Sequence, residues 1–202
     1  MGGAAVGRIA VVSFLLLLGL AGCSTARESE PARTATEQLL ISTAVDRALD
    51  RLNLRIPEGT KIWVDAENFE GYDQKYAVGA IRDRLMREGG RLVADRGQAD
   101  AVVEIRAGAL STNSDSLLIG IPSMDLPVPL AGQAKTPELS LVKKNHDEGV
   151  AKIGITAYDA KTGVPESFTL EEPIYGFSNR TRWVVLSLFD WTNSDLLTPP
   201  GQ

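Results

Sequence analysis

The strongest periodicity lies between residues 34 and 90. Thr34-Ala-Thr-Glu37 has the spacing of a capping box, in which the Thr hydroxyl caps an early N–H and the Glu reaches back. Behind it Leu40, Ala44, Ala48 and Leu52 recur at four-residue steps, and Ile41, Val45 and Leu49 widen the stripe. Asp46, Arg47, Asp50 and Arg51 fill the other face. The pattern predicts an amphipathic helix stopped by Pro57 and Gly59. Lys61 to Phe69 then alternates, with Ile62, Val64 and Ala66 on one face, and predicts a strand. Gly71 and Asp73 mark a break and a helix cap. Tyr76, Ala77, Ala80, Ile81 and Leu85 form the stripe of a second helix running to about Glu88, with Gly89-Gly90 as its C-cap. Arg91 to Ala94 predicts a short strand, Asp95 to Asp100 a turn, and Ala101 to Ala107 a further strand.

From Ser111 to Pro137 the pattern dissolves. The stretch is rich in Ser, Gly and Pro, yet it carries Leu117, Leu118, Ile119, Ile121, Met124, Leu126, Val128 and Leu130. Disordered linkers lack such residues, and Pro122, Pro127 and Pro129 argue against a central strand. The expectation is a long folded flap whose apolar side covers its own domain or meets a partner, with Leu117, Leu118, Ile119 and Ile121 as candidate contacts. Two strands follow, Glu138 to Lys144 and Val150 to Asp159, joined around Asn145-His-Asp-Glu-Gly149. Asp159-Ala-Lys-Thr-Gly163 predicts a hairpin turn with Gly at a positive φ. Residues 164 to 178 supply the returning strand, and Trp183 to Phe189 is an apolar segment of unassigned type. The sum is an α/β (α+β) domain: a mixed sheet of five or six strands, largely antiparallel, with two main helices on one side.

The N-terminus carries an address. Arg8 precedes an apolar run from Ile9 to Leu20, the plan of a secretory signal and too short for a membrane span of about 20 residues. The run ends in Leu20-Ala21-Gly22-Cys23, which resembles the lipobox of bacterial lipoproteins. The resemblance implies cleavage before Cys23 and lipid on its sulfur and amine. A signal without lipid, or a buried helix that ends in Cys, is the plainer reading. Ser24 after the cysteine favours the outer membrane. The expected organisation is a signal peptide at 1–22, a flexible tether at 23–33, one periplasmic domain at 34–191 and a disordered tail at 192–202.

Composition narrows the chemistry. The chain has 202 residues, 21 basic against 26 acidic side chains, and a net charge of −5. An acidic chain lacks the basic stripe that nucleic-acid binding needs. One Cys and one His exclude a disulfide framework and multi-Cys or multi-His metal sites. His146 lies in a polar stretch, read as an exposed turn and not a base. Asp65 and Glu67, two apart on a strand with Asp73 nearby, could share a metal, but they also suit the solvated face opposite Ile62, Val64 and Ala66. Trp63, Trp183 and Trp191 read as packing residues ahead of a ligand platform. Asn179-Arg-Thr181 matches a glycosylation triplet by chance. No phosphate loop or nucleophile elbow is present. The expectation is no catalytic residue, no metal and no cofactor.

A wider resemblance rests on Gln98-Ala-Asp100-Ala-Val-Val and on the phrase Ile153 to Gly163. These are similar to the periplasmic α/β domain of the curli-assembly (CsgG-like) lipoproteins. Thr36-Glu-Gln-Leu-Leu40 and Gly120-Ile-Pro-Ser123 resemble a family of uncharacterised bacterial lipoproteins. The curli channel's paired membrane hairpins have no full counterpart here, so its pore is not implied. What the resemblance implies is a lipid-anchored cell-envelope protein with a non-enzymatic assembly or interaction role. Its partners would be the membrane through the N-terminal lipid and an envelope protein or a second copy. The alternative is an envelope binding protein for a small peptide or glycan fragment held under the 111–137 flap.

Overall fold

The computed structural model describes residues 33–128 and 132–196, with the side chains of 127–134 left out. Leu20, Ala21, Gly22 and Cys23, the expected signal and most of the expected tether lie outside the described residues. Helix α1 (Ala35–Asp50) opens with the predicted box: Glu37 N–H donates to Thr34 Oγ1 at 3.2 Å and Thr34 N–H donates to Glu37 Oε2 at 2.7 Å. Its stripe of Leu40, Ile41, Ala44, Val45, Ala48 and Leu49 is buried. Strand β1 (Lys61–Asp65) leads into α2 (Gln74–Arg87), whose Ala77, Ile81 and Leu85 are buried. Asp73 begins α2 in a left-handed conformation, φ 54°, but does not cap it; its carboxylate bonds Arg33 at 2.9 Å. Gly89, at φ 105°, ends the helix as expected.

The remaining strands are β2 (Arg91–Leu92), β3 (Ala101–Ile121), β4 (Asp125–Val128), β5 (Gly132–Lys135), β6 (Leu139–Asp159), β7 (Ile174–Val185) and β8 (Phe189–Ser194). Six of them form one mixed sheet in the order β2-β1-β3-β6-β7-β8. The β1–β2 and β1–β3 pairs are parallel; the pairs from β3 to β8 are antiparallel. β4 and β5 pair with each other only. The core lies between one face of this sheet and the helices, and Ala101, Val103, Ile105, Ile153, Ile155 and Ala157 supply the strands' share. The predicted fold class, with helices on one side of a six-stranded mixed sheet, is what the structure has.

Four expectations about strand limits are corrected. Ser111 to Ile121 is not a flap: β3 runs unbroken to Ile121, paired with β6 as far as Ile121↔Leu139. Asn145 to Gly149 is not a turn but the middle of β6. The tail does not start at Thr192, because β8 extends to Ser194 and Asp195 bonds Arg47 at 2.7 Å. The reason is common to the first two. From Asn113 to Leu117 β3 is exposed on both faces, so polar and apolar residues share each face and the period-2 signal fades. Register shifts between Ala107 and Ala109 and between Ile119 and Gly120 blur it further. The predicted hairpin turn holds, with Asp159 Oδ1 accepting from Lys161 N–H, Thr162 N–H and Thr162 Oγ1, and Gly163 at φ 71°. The returning strand, however, is β7 at Ile174–Val185 and not residues 164–178.

α1 lies directly on β6 and β7. Gly176 packs under Ala44 and Ala48, Gly149 under Leu40, and Ser178 Oγ donates to Leu40 O at 2.6 Å. Going along α1, Leu40 meets Ser178, Ala44 meets Gly176 and Arg51 bonds Tyr175 O, so the helix runs antiparallel to β7. Its N-terminus therefore points the same way as the far ends of β3, β6 and β7.

Candidate functional site

Past the helices, the far halves of β3, β6 and β7 together with β8 form a four-stranded arm. Alternation along β6 fixes its two faces. Ile153 and Ala151 face the helices, so Gly149, Asp147, Asn145 and Lys143 do too, and Val150, Glu148, His146, Lys144 and Val142 face away. The cross-strand registers extend this assignment to the neighbouring strands.

The face on the helix side is apolar under α1 and polar beyond it. Ser114 donates to Asp147, Ser116 to Asn145 at 2.8 Å, and Arg182 pairs with Asp190 at 2.8 Å. The opposite face inverts this order at its far end. Leu117, Ile119, Val142, Trp183, Val185, Phe189 and Trp191 share it. Trp183 and Trp191 lie across β7 and β8 with rings stacked, centroids 6.2 Å apart and 12° between planes. Lys144 places its ammonium 5.3 Å from the Trp183 ring. Leu117, Ile119, Ile121 and Trp191 are each more than half exposed, Phe189 is 63% exposed and Leu188 81%. A contiguous apolar patch of this kind makes the face a candidate contact surface.

The turn that closes this end is strained. Leu186 and Ser187 both have φ near 54°, a left-handed conformation that costs a non-Gly residue about 1–2 kcal/mol. Hydrogen bonds hold it: Ser140 N–H donates to Ser187 Oγ at 2.8 Å and Leu186 N–H donates to Leu141 O at 2.9 Å. They tie the β7–β8 turn to the irregular start of β6.

The outer edge of β8 is a second feature. Among the described residues β8 has no neighbour on that side. Asp195 N–H donates to Asn179 O at 3.1 Å, which sets the ladder's alternation. By that alternation Asp190, Thr192 and Ser194 point their N–H and C=O groups outward. Such an edge is a template for another strand.

The other sequence candidates fall elsewhere. Leu118 sits on the helix-side face, partly buried, while Leu117, Ile119 and Ile121 are exposed. His146 is not an exposed turn residue; it lies mid-strand, and its Nδ1 is 2.9 Å from Thr181 Oγ1 on the neighbouring strand. Asp65 and Glu67 do not share a strand face, because β1 ends at Asp65 and its carboxylate accepts the Glu67 N–H at 3.1 Å. Asp73 is engaged by Arg33. Trp63 stands far along the sheet from the tryptophan pair, with Arg96 stacked over it. Among the described residues no group of three or more His, Cys, Asp or Glu could hold a metal ion, and no helix is long and apolar enough to cross a membrane.

A groove of about 580 Å³ opens between α1 and α2, lined by Asp46, Asp50, Tyr76, Asp83 and Arg84. Tyr76 Oη donates to Asp46 at 2.8 Å, and burial together with that carboxylate pushes the phenol up to about 12. Arg84 pairs with Glu88 and donates to Leu52 O, while Arg87 pairs with Asp83. Asp46, Asp83 and Arg84 are thus engaged. The Arg84–Glu88 and Arg87–Asp83 pairs follow from four-residue spacing at α2, whereas the Tyr76–Asp46 bond depends on the packing of the two helices.

Residues 17–171 match the model of a family of unknown function, DUF6655. The chain belongs to the DUF6655 family. The match takes in Leu20–Cys23, both helices, and β3 to β6 of the arm. No curated protein matches this DUF6655 chain. The matched stretch contains Leu117 and Ile119, each more than half exposed.

Proposed function

We propose that this DUF6655 protein is a lipid-anchored cell-envelope component that works by contact and not by catalysis. The observation that carries the reading is the arm, which extends past the helices with an uncovered apolar face and ends in the open edge of β8. An arm of this kind contributes nothing to the core, and its strained turn is a cost to folding. The proposed protein contact is strand addition at β8, by a second copy or by another envelope protein, in which main-chain hydrogen bonds supply affinity. Lipidation at Cys23 would hold the domain at the membrane, as the lipobox resemblance implies. The rival, a binding protein for a peptide or glycan fragment, has lost its roof because residues 111–121 lie in the sheet and do not fold over the body. The groove beside Tyr76 is what remains for it, and Asp46, Asp83 and Arg84 there are already engaged by Tyr76, Arg87 and Glu88.

A photo-reactive residue placed at Thr192 tests the reading in the native envelope. The expected result is an adduct between β8 and a second polypeptide, lost when Asp190→Pro removes one outward N–H. The absence of any adduct at β8 under conditions that label other surface positions contradicts it.

A further inference from the structure

We infer that the far apolar face of the arm dips into the same bilayer leaflet that holds the chain's own lipid. The inference rests on the proposed lipidation of Cys23 and names the occupant of the exposed face. Three observations carry it.

The first is direction and reach. Because α1 runs antiparallel to β7, its N-terminus and the arm's end lie at one end of the domain. Thr34 lies six residues before Leu40, about 9 Å along the helix. Val185 lies seven residues past Ser178, about 24 Å along the strand. The arm's Trp-bearing end thus stands about 15 Å beyond Thr34, with Ile121 and Leu139 about 10 Å further. Ten residues join Cys23 to Arg33, and a chain of that length spans at most about 33–36 Å. An acylated Cys23 and the arm's end can therefore reach one plane together.

The second is charge. Between Asp115 and Glu138 the sequence has two charges only, Asp125 and Lys135. The β4–β5 register sets them opposite each other, so they offset one another. Lys144 follows just behind the apolar end, against the Trp183 ring, and Arg180 and Arg182 lie on the other face, Arg182 paired with Asp190. Tryptophans with cations behind them suit the headgroup level of a membrane, where an amphipathic ring has an apolar and a wet side.

The third is height. From Leu117 to Ile121 the apolar face measures about 14 Å. A spanning barrel strand needs an apolar band about 25 Å tall. Behind Leu117 the same face carries Asp115, Glu148 and His146. The arm is therefore long enough to enter one leaflet and too short to cross two. Such shallow insertion adds apolar contact to the lipid at Cys23.

The experiment uses the full mature protein in phosphatidylcholine vesicles with brominated acyl chains. A Trp63→Phe background leaves Trp183 and Trp191 as the emitters. Flotation reports anchoring and bromine quenching reports insertion, so the two readings fail separately. The expected result is loss of about half the tryptophan emission in brominated against plain vesicles, because the rings sit at the headgroup–acyl boundary. The double variant Ile119→Asp, Phe189→Asp should float as before and lose the quenching. Protein that floats with unquenched tryptophans overturns the inference and leaves the anchor standing. Unquenched tryptophans with a doubled particle size in detergent would assign the face to a second copy and equally overturn it. A free thiol at Cys23 in the intact mass removes the anchor, and quenching with added vesicles then still decides the arm.

Discussion

Gly176→Ala offers a sharp test of how α1 is seated on the sheet. A Cβ at this position would overlap Ala44 O and stand 2.6 Å from Ala48 N. Both are helix backbone, so no rotamer change relieves the clash. Contacts of ordinary length start at 3.4 Å, and α1 must withdraw from β7 by about 1 Å. The helix buries four large side chains, Leu40, Ile41, Val45 and Leu49, each 5% exposed or less. Together their burial stabilises the fold by about 6–12 kcal/mol. A gap of 0.5–1 Å forfeits about a quarter to a half of a van der Waals contact. The Ser178–Leu40 hydrogen bond, about 1 kcal/mol, is stretched as well. The expected loss is about 3 kcal/mol, near the top of the usual overpacking range. Urea unfolding followed by far-UV circular dichroism measures it. Gly79→Ala is the control: Gly79 lies on the exposed face of α2 with nothing within 4 Å of its added Cβ. That variant should gain about 0.5–1 kcal/mol from helix propensity. Equal stability for the two variants would refute the close seating of α1.

Two further outcomes follow from other parts of the molecule. Burial would raise the Asp195 carboxyl, but the Asn179 N–H and the Arg47 guanidinium outweigh it and hold it below the usual carboxylate range. Its contribution is then present above the unfolded value and is lost as pH falls through the lower folded value. Asp195→Asn should therefore lower stability at neutral pH by up to about 1 kcal/mol, a figure discounted for the pair's exposure, and flatten the acid limb of a stability–pH profile. An unchanged acid limb argues against the Arg47–Asp195 pair. Cys23→Ala should abolish acyl labelling and leave unprocessed precursor, read by intact mass; processed wild type with a free thiol would sink the lipoprotein reading.

The readable parts of this chain are those where one principle acts alone. α1 and α2 show in the sequence because a buried stripe repeats at 3.6 residues, and the Asp159–Gly163 turn shows because its side-chain hydrogen bonds are local. The arm is hidden for the opposite reason. Ser114 and Ser116 face the helix side with Leu118, while Leu117 and Ile119 face away, so neither alternation nor an unbroken apolar run marks a strand there. Pro122 does respect strand chemistry, since β3 ends at Ile121, and Pro127 falls in the two-stranded β4–β5 pair, where an edge tolerates it. His146 reads as a turn residue because its neighbours are polar; its strand position depends on β3 and β7 flanking it, a long-range fact. Gly149 and Gly176 look like weak strand formers until α1 is laid across them. The turn at Leu186–Ser187 lacks the Asn or Gly that would signal it, and its stabilising bonds come from Ser140 and Leu141 on another strand.

The central claim is that the arm's apolar end is surface and that its role is contact. The most direct measurement is the paired effect of Leu117→Thr, Ile119→Thr and Ile121→Thr, made together, on unfolding free energy and on vesicle contact. These side chains are already more than half in water, so each substitution should cost no more than about 1 kcal/mol. Bromine quenching of Trp183 and Trp191 should fall to background in the same protein. A loss of about 2–5 kcal/mol per position, as for core residues, or undiminished quenching, would contradict the account.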